Sequence, residues 1–193
     1  MTEAYIVEAV RTAGGRRNGR LAGWHAAELA AETLNAIVER TGVDPSAIDD
    51  VIMGCVTQGG EQSTALGRYA VLASSLPQTV PAVTIDRQCG SSQQAIQFAA
   101  QAVLSGTQDM IIAAGVESMS RTPMLSNISL YAQAGLNSTP WSQRVLDRFG
   151  VDEFSQFIGA QMIADKNRFT REQLDAFALE SHRRAAAAPN SGA

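Results

Sequence analysis

The stretch AVTIDRQCGSSQQAIQFAAQAVLSGTQDMIIAA, Ala82 to Ala114, decides the architecture. Its opening, Ala82 to Ile85, is rich in β-branched residues and reads as a strand. Gln93 to Leu104 lacks Gly and Pro and sets Ile96, Ala99, Ala100 and Val103 on one face, so it reads as a helix that starts close to Cys89 and stops at Gly106. Met110 to Ala114 is a continuous apolar run, the pattern of a strand covered on both faces. Strand, helix, strand in this order makes a crossover unit with parallel strands.

Working outward, VIMGCV at Val51 to Val56 reads as a second buried strand, preceded by Asp44-Pro45, a cap and first-turn proline that open a short helical turn. Trp24 to Arg40 carries Leu29, Leu34, Ile37 and Val38 at helical spacing and meets a stop signal at Gly42. Tyr5 to Val10 is predicted as a first strand, and RTAGGRRNGRLAG after it as a long loop. Ser63 to Ala73 has helical composition, and Pro77 and Pro81 then confine the chain until Ala82. Strands alternating with helices predict an α/β fold, a parallel-rich sheet with helices on both faces.

The character changes after Glu117. SMSRTPMLSNISLYAQAGLNSTPWSQ is polar and irregular, and the clearest later element is a helix over Arg171 to Ala188, opened by Thr170 with Gln173 three residues on, a capping-box pattern. Pro189 to Ala193 has tail composition. The expected division is therefore residues 1–117 as one domain and residues 118–193 as the beginning of another.

Composition narrows the function. The chain has 193 residues, 45% of them apolar, and a formal charge of −4, which disfavours nucleic acid as a partner because phosphate binding rests on excess Lys and Arg. No apolar run approaches the roughly 20 residues that cross a bilayer, and the N-terminus lacks a basic n-region with a long apolar stretch, so no membrane partner and a cytoplasmic location are expected. Asp49-Asp50 and Glu28-Glu32 have no His or Cys companions, so no metal is expected either. Gly14-Gly15 lacks the Lys-Ser/Thr of a phosphate loop. Arg11, Arg16, Arg17 and Arg20 form a basic loop that reads as solvated, and Trp24 reads as a packing anchor.

The chemistry concentrates where the strand turns into the helix through Cys89-Gly90-Ser91-Ser92. A thiol at a helix start feels the positive end of the dipole, which favours thiolate, the nucleophilic form. Gly90 permits close approach, and the Cys89 amide can donate to a carbonyl oxygen on which charge develops. Cys55, inside a strand, reads as a small buried hydrophobe.

These residues resemble the thiolase family. Cys-Gly-Ser-Ser followed by a small-residue helix is similar to the thiolase acyl-enzyme motif. Agreement extends through VEAVRT (Val7 to Thr12), VIMGCVTQGGEQ (Val51 to Gln62), AAGVESMSRTP (Ala113 to Pro123) and FTREQLDAFALESHRRAAAA (Phe169 to Ala188). The resemblance implies a thiolase-type sheet forming the first thiolase domain, incomplete for lack of its last strand, then the start of an inserted loop domain, with the C-terminal thiolase domain absent. It implies an acyl-CoA acyltransferase that cleaves 3-ketoacyl-CoA with coenzyme A, or runs the reverse Claisen condensation, through an acyl thioester on Cys89, whose backbone N–H stands in an oxyanion hole. Coenzyme A is then a substrate and no cofactor is expected. The implied partners are acyl-CoA, the missing C-terminal half, and a second copy in a homodimer or tetramer joined through the first domain near Val83 to Cys89.

Departures from the family pattern are equally visible. The Gly-His-Pro histidine, the Asn-Glu-Ala-Phe asparagine and the second cysteine of thiolases are missing, and His25 and His182 sit in unrelated contexts. Asp86 stands where the signature usually has Asn, Ser or Thr. Ser155-Gln156 occupies the place of the His-Met pair that lines the acyl pocket of short-chain biosynthetic thiolases, which favours a degradative enzyme with a bulkier acyl group. The competing reading is a non-catalytic thiolase-like subunit that binds acyl-CoA or a partner chain. Retention of the Cys-Gly-Ser-Ser turn favours the enzyme, since a scaffold has no need of a thiol there.

Overall fold

Val51, Ile52 and Met53, three bulky apolar residues in succession, form the centre of strand β1 (Asp50–Gly54) in the computed structural model, which describes residues 3–137 and 139–191. β2 (Ala82–Ile85) and β3 (Ile111–Gly115) flank it in the order β2-β1-β3, and both pairings are parallel. Val51 stands opposite Ala82 on one side and Ile112 on the other.

Successive residues of a strand point to opposite faces, so β1 shows how the layers are arranged. A Cβ on Gly67 of α2 (Leu66–Ala73) would lie 2.9 Å from Met53 Cβ, whereas one on the next strand residue, Gly54, would collide with the backbone of Ser91 and Ser92 in α3 (Ser91–Ser105). α2 therefore covers one face and α3 the other, as the strand–helix alternation predicts. α1 (Ala26–Thr41) packs against α2 and contributes Ala30 and Leu34 to a core with Val51, Met53, Ala70 and Val71. The helix is capped at its start by His25, whose Nδ1 accepts from Ala27 N at 3.2 Å, and ends at Gly42, where φ is +64°.

Tyr5 to Val10 is not a strand. The segment carries no strand hydrogen bonding among the described residues, and Tyr5, Ile6 and Val7 are 76%, 78% and 85% exposed. β-forming side chains make a strand only when a neighbouring strand completes the ladder, and no described strand lies alongside. Between this segment, β3, α1 and α3 runs a cleft of about 1810 Å³. Trp24 is exposed and precedes α1, because the cap is His25 and not the tryptophan. Cys55 lies one residue past the end of β1, although its N–H still donates to Ile85 O at 3.0 Å.

The described chain divides into two units at Ser138/Thr139, later than the change of composition at Glu117. The polar stretch after Glu117 holds a short helix that its composition does not announce, α4 (Ser126–Gln133) in the first unit, and a second one, α5 (Gln143–Phe149), begins where that stretch ends, in the second unit. At 8 and 7 residues they are too short to show a helical period. The second unit continues with α6 (Gln156–Asn167) and α7 (Arg171–Ser191). Phe154 meets the edges of Trp141 and Phe149 at ring-centroid distances of 5.9 and 5.6 Å. α7 runs through Pro189, where a tail is expected; the preceding alanines, Ala185 to Ala188, have the highest helix propensity. Gly192 and Ala193 lie outside the described residues. Among the described residues no helix is long and apolar enough to cross a membrane.

Candidate active site

Small residues at the ends of the parallel strands bring α3 close to the sheet. A Cβ on Gly54 would come within 2.5 Å of Ser92 N and 2.6 Å of Ser91 C, and one on Gly115 within 2.6 Å of Ser92 Cβ. Only hydrogen at these two positions lets the start of α3 rest where it does. The helix N-terminus thus sits over the carboxyl ends of β1 and β3, the edge at which open α/β sheets place their ligands.

Immediately before α3 the chain makes a tight turn. Gln88 takes φ +48°, a left-handed conformation that costs a side-chain-bearing residue roughly 1–2 kcal/mol. The Asp86 carboxylate accepts from Gln88 N at 2.6 Å, and buried Ser91 accepts from Arg87 N at 2.9 Å while its hydroxyl donates to Gln88 O at 2.6 Å. Gly90 N donates to Arg87 O and Ser91 N to Gln88 O, which closes the turn. Cys89 projects from it exposed to solvent.

Cys55 is the opposite case. It is 1% exposed, packed with Ala26, Ala27 and Leu66. Its thiol is pushed up to about 12, first by burial and then by the Glu117 carboxylate beside it, with a smaller contribution from Asp86. It stays protonated near neutral pH, a structural hydrophobe.

Glu117 anchors a network that sequence reasoning passed over. Its carboxylate accepts from Val56 N at 2.8 Å, Thr57 N at 3.0 Å and Gln62 Nε2 at 3.0 Å. Gln62, wholly buried, closes the circuit by donating to Thr57 O and accepting from Ser118 N at 2.7 Å. These bonds tie the loop after β1 to the loop after β3, across more than fifty residues of sequence. A lone Glu at the end of an apolar strand was the available signal, but the partners that give it meaning are distant in sequence. Nearby, Arg121 grips Glu61 with two hydrogen bonds of 2.6 and 2.5 Å, which hold the Glu61 carboxyl below its ordinary value.

The remaining sequence candidates are dispersed. Ser155 and Gln156 lie in the second unit, Ser155 as the N-cap of α6, its Oγ 3.5 Å from Ile158 N. His25 caps α1 and stands 3.9 Å from Glu61, and His182 is exposed on α7. Arg11, Arg16, Arg17 and Arg20 are exposed in the N-terminal loop.

The family model for the thiolase N-terminal domain matches residues 4–193. The chain belongs to the thiolase family. It is 49% identical over its whole length to the steroid 3-ketoacyl-CoA thiolase FadA6 of Mycobacterium tuberculosis, of which it covers 47%. It is 40% identical, again over its whole length, to a beta-ketoadipyl-CoA thiolase of Escherichia coli, of which it covers 50%. A 3-ketoacyl-CoA thiolase of Psychrobacter cryohalolentis is 37% identical over 98% of the chain, which covers 46% of that protein. The chain spans about half the length of these curated thiolases.

Proposed function

We propose that the whole protein is an acyl-CoA acyltransferase that cleaves 3-ketoacyl-CoA with coenzyme A, with Cys89 as nucleophile. The observation that carries this reading is an exposed cysteine held in a tight turn at the N-terminus of α3, in a chain of the thiolase family. The thiolate sulfur attacks the C3 carbonyl carbon. The C2–C3 bond breaks, C2 takes up a proton and leaves as acetyl-CoA, and the acyl group stays on Cys89 as a thioester. The thiol of coenzyme A then loses its proton, attacks that thioester and departs as an acyl-CoA two carbons shorter. Two acyl transfers replace one difficult carbon–carbon cleavage. The reverse sequence is a Claisen condensation.

The adjacent amides of Gly90 and Ser91 are engaged inside the turn, so the amide assigned to the oxyanion is that of Cys89 itself. Proton transfers in both half-reactions need an acid and a base, and we assign them to the C-terminal half that the family resemblance implies. That half would also cover the cleft beside β3 and extend residues 118–193 into a full loop domain. Ser155 and Gln156 are assigned to the acyl pocket of that domain. A bulky acyl group and a degradative direction are the favoured reading, supported by the likeness to a steroid 3-ketoacyl-CoA thiolase. β2 stands at the edge of the sheet with Val83 exposed, and it is the strand assigned to pairing with a second copy in a homo-oligomer. A cytoplasmic location fits this chemistry.

The test uses the full-length protein. Cys89→Ala should fold normally, lose thiolysis by about 10⁴-fold or more, and form no acyl-enzyme detectable by mass spectrometry. Turnover in a folded Cys89→Ala variant would remove the mechanism.

A further inference from the structure

We propose that Asp86 is a positioning residue for the nucleophile: its carboxylate pins the left-handed Gln88 and so sets the direction in which Cys89 leaves the turn. The proposal rests on the assignment of Cys89 as nucleophile and names what orients it.

Cys89 follows the one residue of this turn with positive φ, so its Cα–Cβ direction depends on whether Gln88 stays at φ +48°. A glutamine does not rest in that region unaided, because its Cβ crowds the backbone there. Something must hold it. The 2.6 Å bond from Gln88 N to Asp86 Oδ1 closes the turn from the strand side. The Gln88 side chain folds back as well, its Nε2 lying 3.2 Å from Asp86 Oδ2, so both ends of this residue hang on one carboxylate. From the helix side, Ser91 holds the backbone N–H of Arg87 and the carbonyl of Gln88. Ser91 is itself fixed by the close seat of α3 on Gly54 and Gly115. The helix end of the turn is therefore anchored to the sheet, and Asp86 is what anchors the strand end. Losing it frees Gln88 to relax toward negative φ and swings the thiol away from its line of attack.

What the turn needs from Asp86 is an acceptor at one place, not a negative charge. Asp86→Asn retains an Oδ1 that accepts from Gln88 N and gives up only the Oδ2 contact with the Gln88 side chain; Asp86→Glu keeps the charge and moves the acceptor by one methylene; Asp86→Ala removes it. In the full-length protein with a 3-ketoacyl-CoA substrate, Asp86→Asn should keep kcat within about threefold of the parent, whereas Asp86→Glu and Asp86→Ala should lower it about 10- to 100-fold, with KM changed less than about twofold. The rate of Cys89 alkylation should follow the same order. The side-by-side control is Cys89→Ala: if it turns over, the nucleophile assignment fails, and if it is dead the Asp86 series is interpretable by itself. Equal loss in Asp86→Asn and Asp86→Ala, or a Glu variant as active as the parent, would show that charge and not placement matters, and would overturn the proposal. Should Asp86→Ala not fold, the comparison of Asn with Glu decides alone.

Discussion

The two faces of the central sheet differ in how far this chain completes them. On the α1/α2 side Leu34, Val51, Met53 and Val71 are sealed into one core, with Cys55 beside it. On the α3 side Ile96 and Leu104 are 48% and 49% exposed, the segment around Ile6 stands apart, and Cys89 faces solvent. The difference separates stability from chemistry. Residues 25–85 contain nearly everything needed to close the first face, while the reactive group stands in the turn that leads into the helix of the second, and an apolar cleft runs along β3 between α1 and α3.

The sharpest way to break this contrast is through the two thiols. A thiol at about 12 is thiolate in only about one molecule in 10⁵ at pH 7, and Cys55 is shielded as well, so iodoacetamide should label Cys89 at least ~100-fold faster in the folded chain. Peptide mapping over time reads the ratio, which should collapse in denaturant. Faster labelling of Cys55 would place the reactive face on the wrong side of the sheet.

Next in size is the cost of truncating one residue on each side. Leu34→Ala leaves a cavity in the sealed core and should lose about 2–5 kcal/mol, whereas Leu104→Ala on the open side should lose less than about 1 kcal/mol. Urea unfolding of both variants in the 193-residue chain measures the gap. Equal losses would mean that the α3 side is covered by something in solution.

The smallest effect sharpens the join between β1 and β3. Asp49 accepts from Asp109 N at 2.7 Å and Met110 N at 3.0 Å, and these bonds hold its carboxyl below the ordinary value. Its folded value is thus lower than its unfolded one, so its contribution is complete above the unfolded value, about 4, and is lost as pH falls through the folded one. Asp49→Asn keeps an oxygen that can accept from both N–H groups but carries no charge, so it should lower stability near pH 7 slightly and flatten the acid limb of stability against pH. An unchanged acid limb would show that the carboxylate does not link the strands.

Sequence alone determined the three described strands, the helices between them and the family, because each depends on a local pattern: β-branched runs, Gly-free apolar periods, glycine stops and the Cys-Gly-Ser-Ser turn. It also marked Cys89 and separated it from Cys55. It misjudged Tyr5 to Val10, since the tendency to form a strand is local but the ladder that makes one is not. It was silent on Glu117 and Gln62, which meet each other across more than fifty residues of sequence. It noticed Asp86 only as an oddity. What the tertiary structure decided was contact: Gly54 and Gly115 seat the helix, Ser91 and Asp86 brace the turn, and the first face closes before the second. Pattern is written residue by residue along the chain, but close approach and hydrogen-bond partnership exist only once distant segments share the same space.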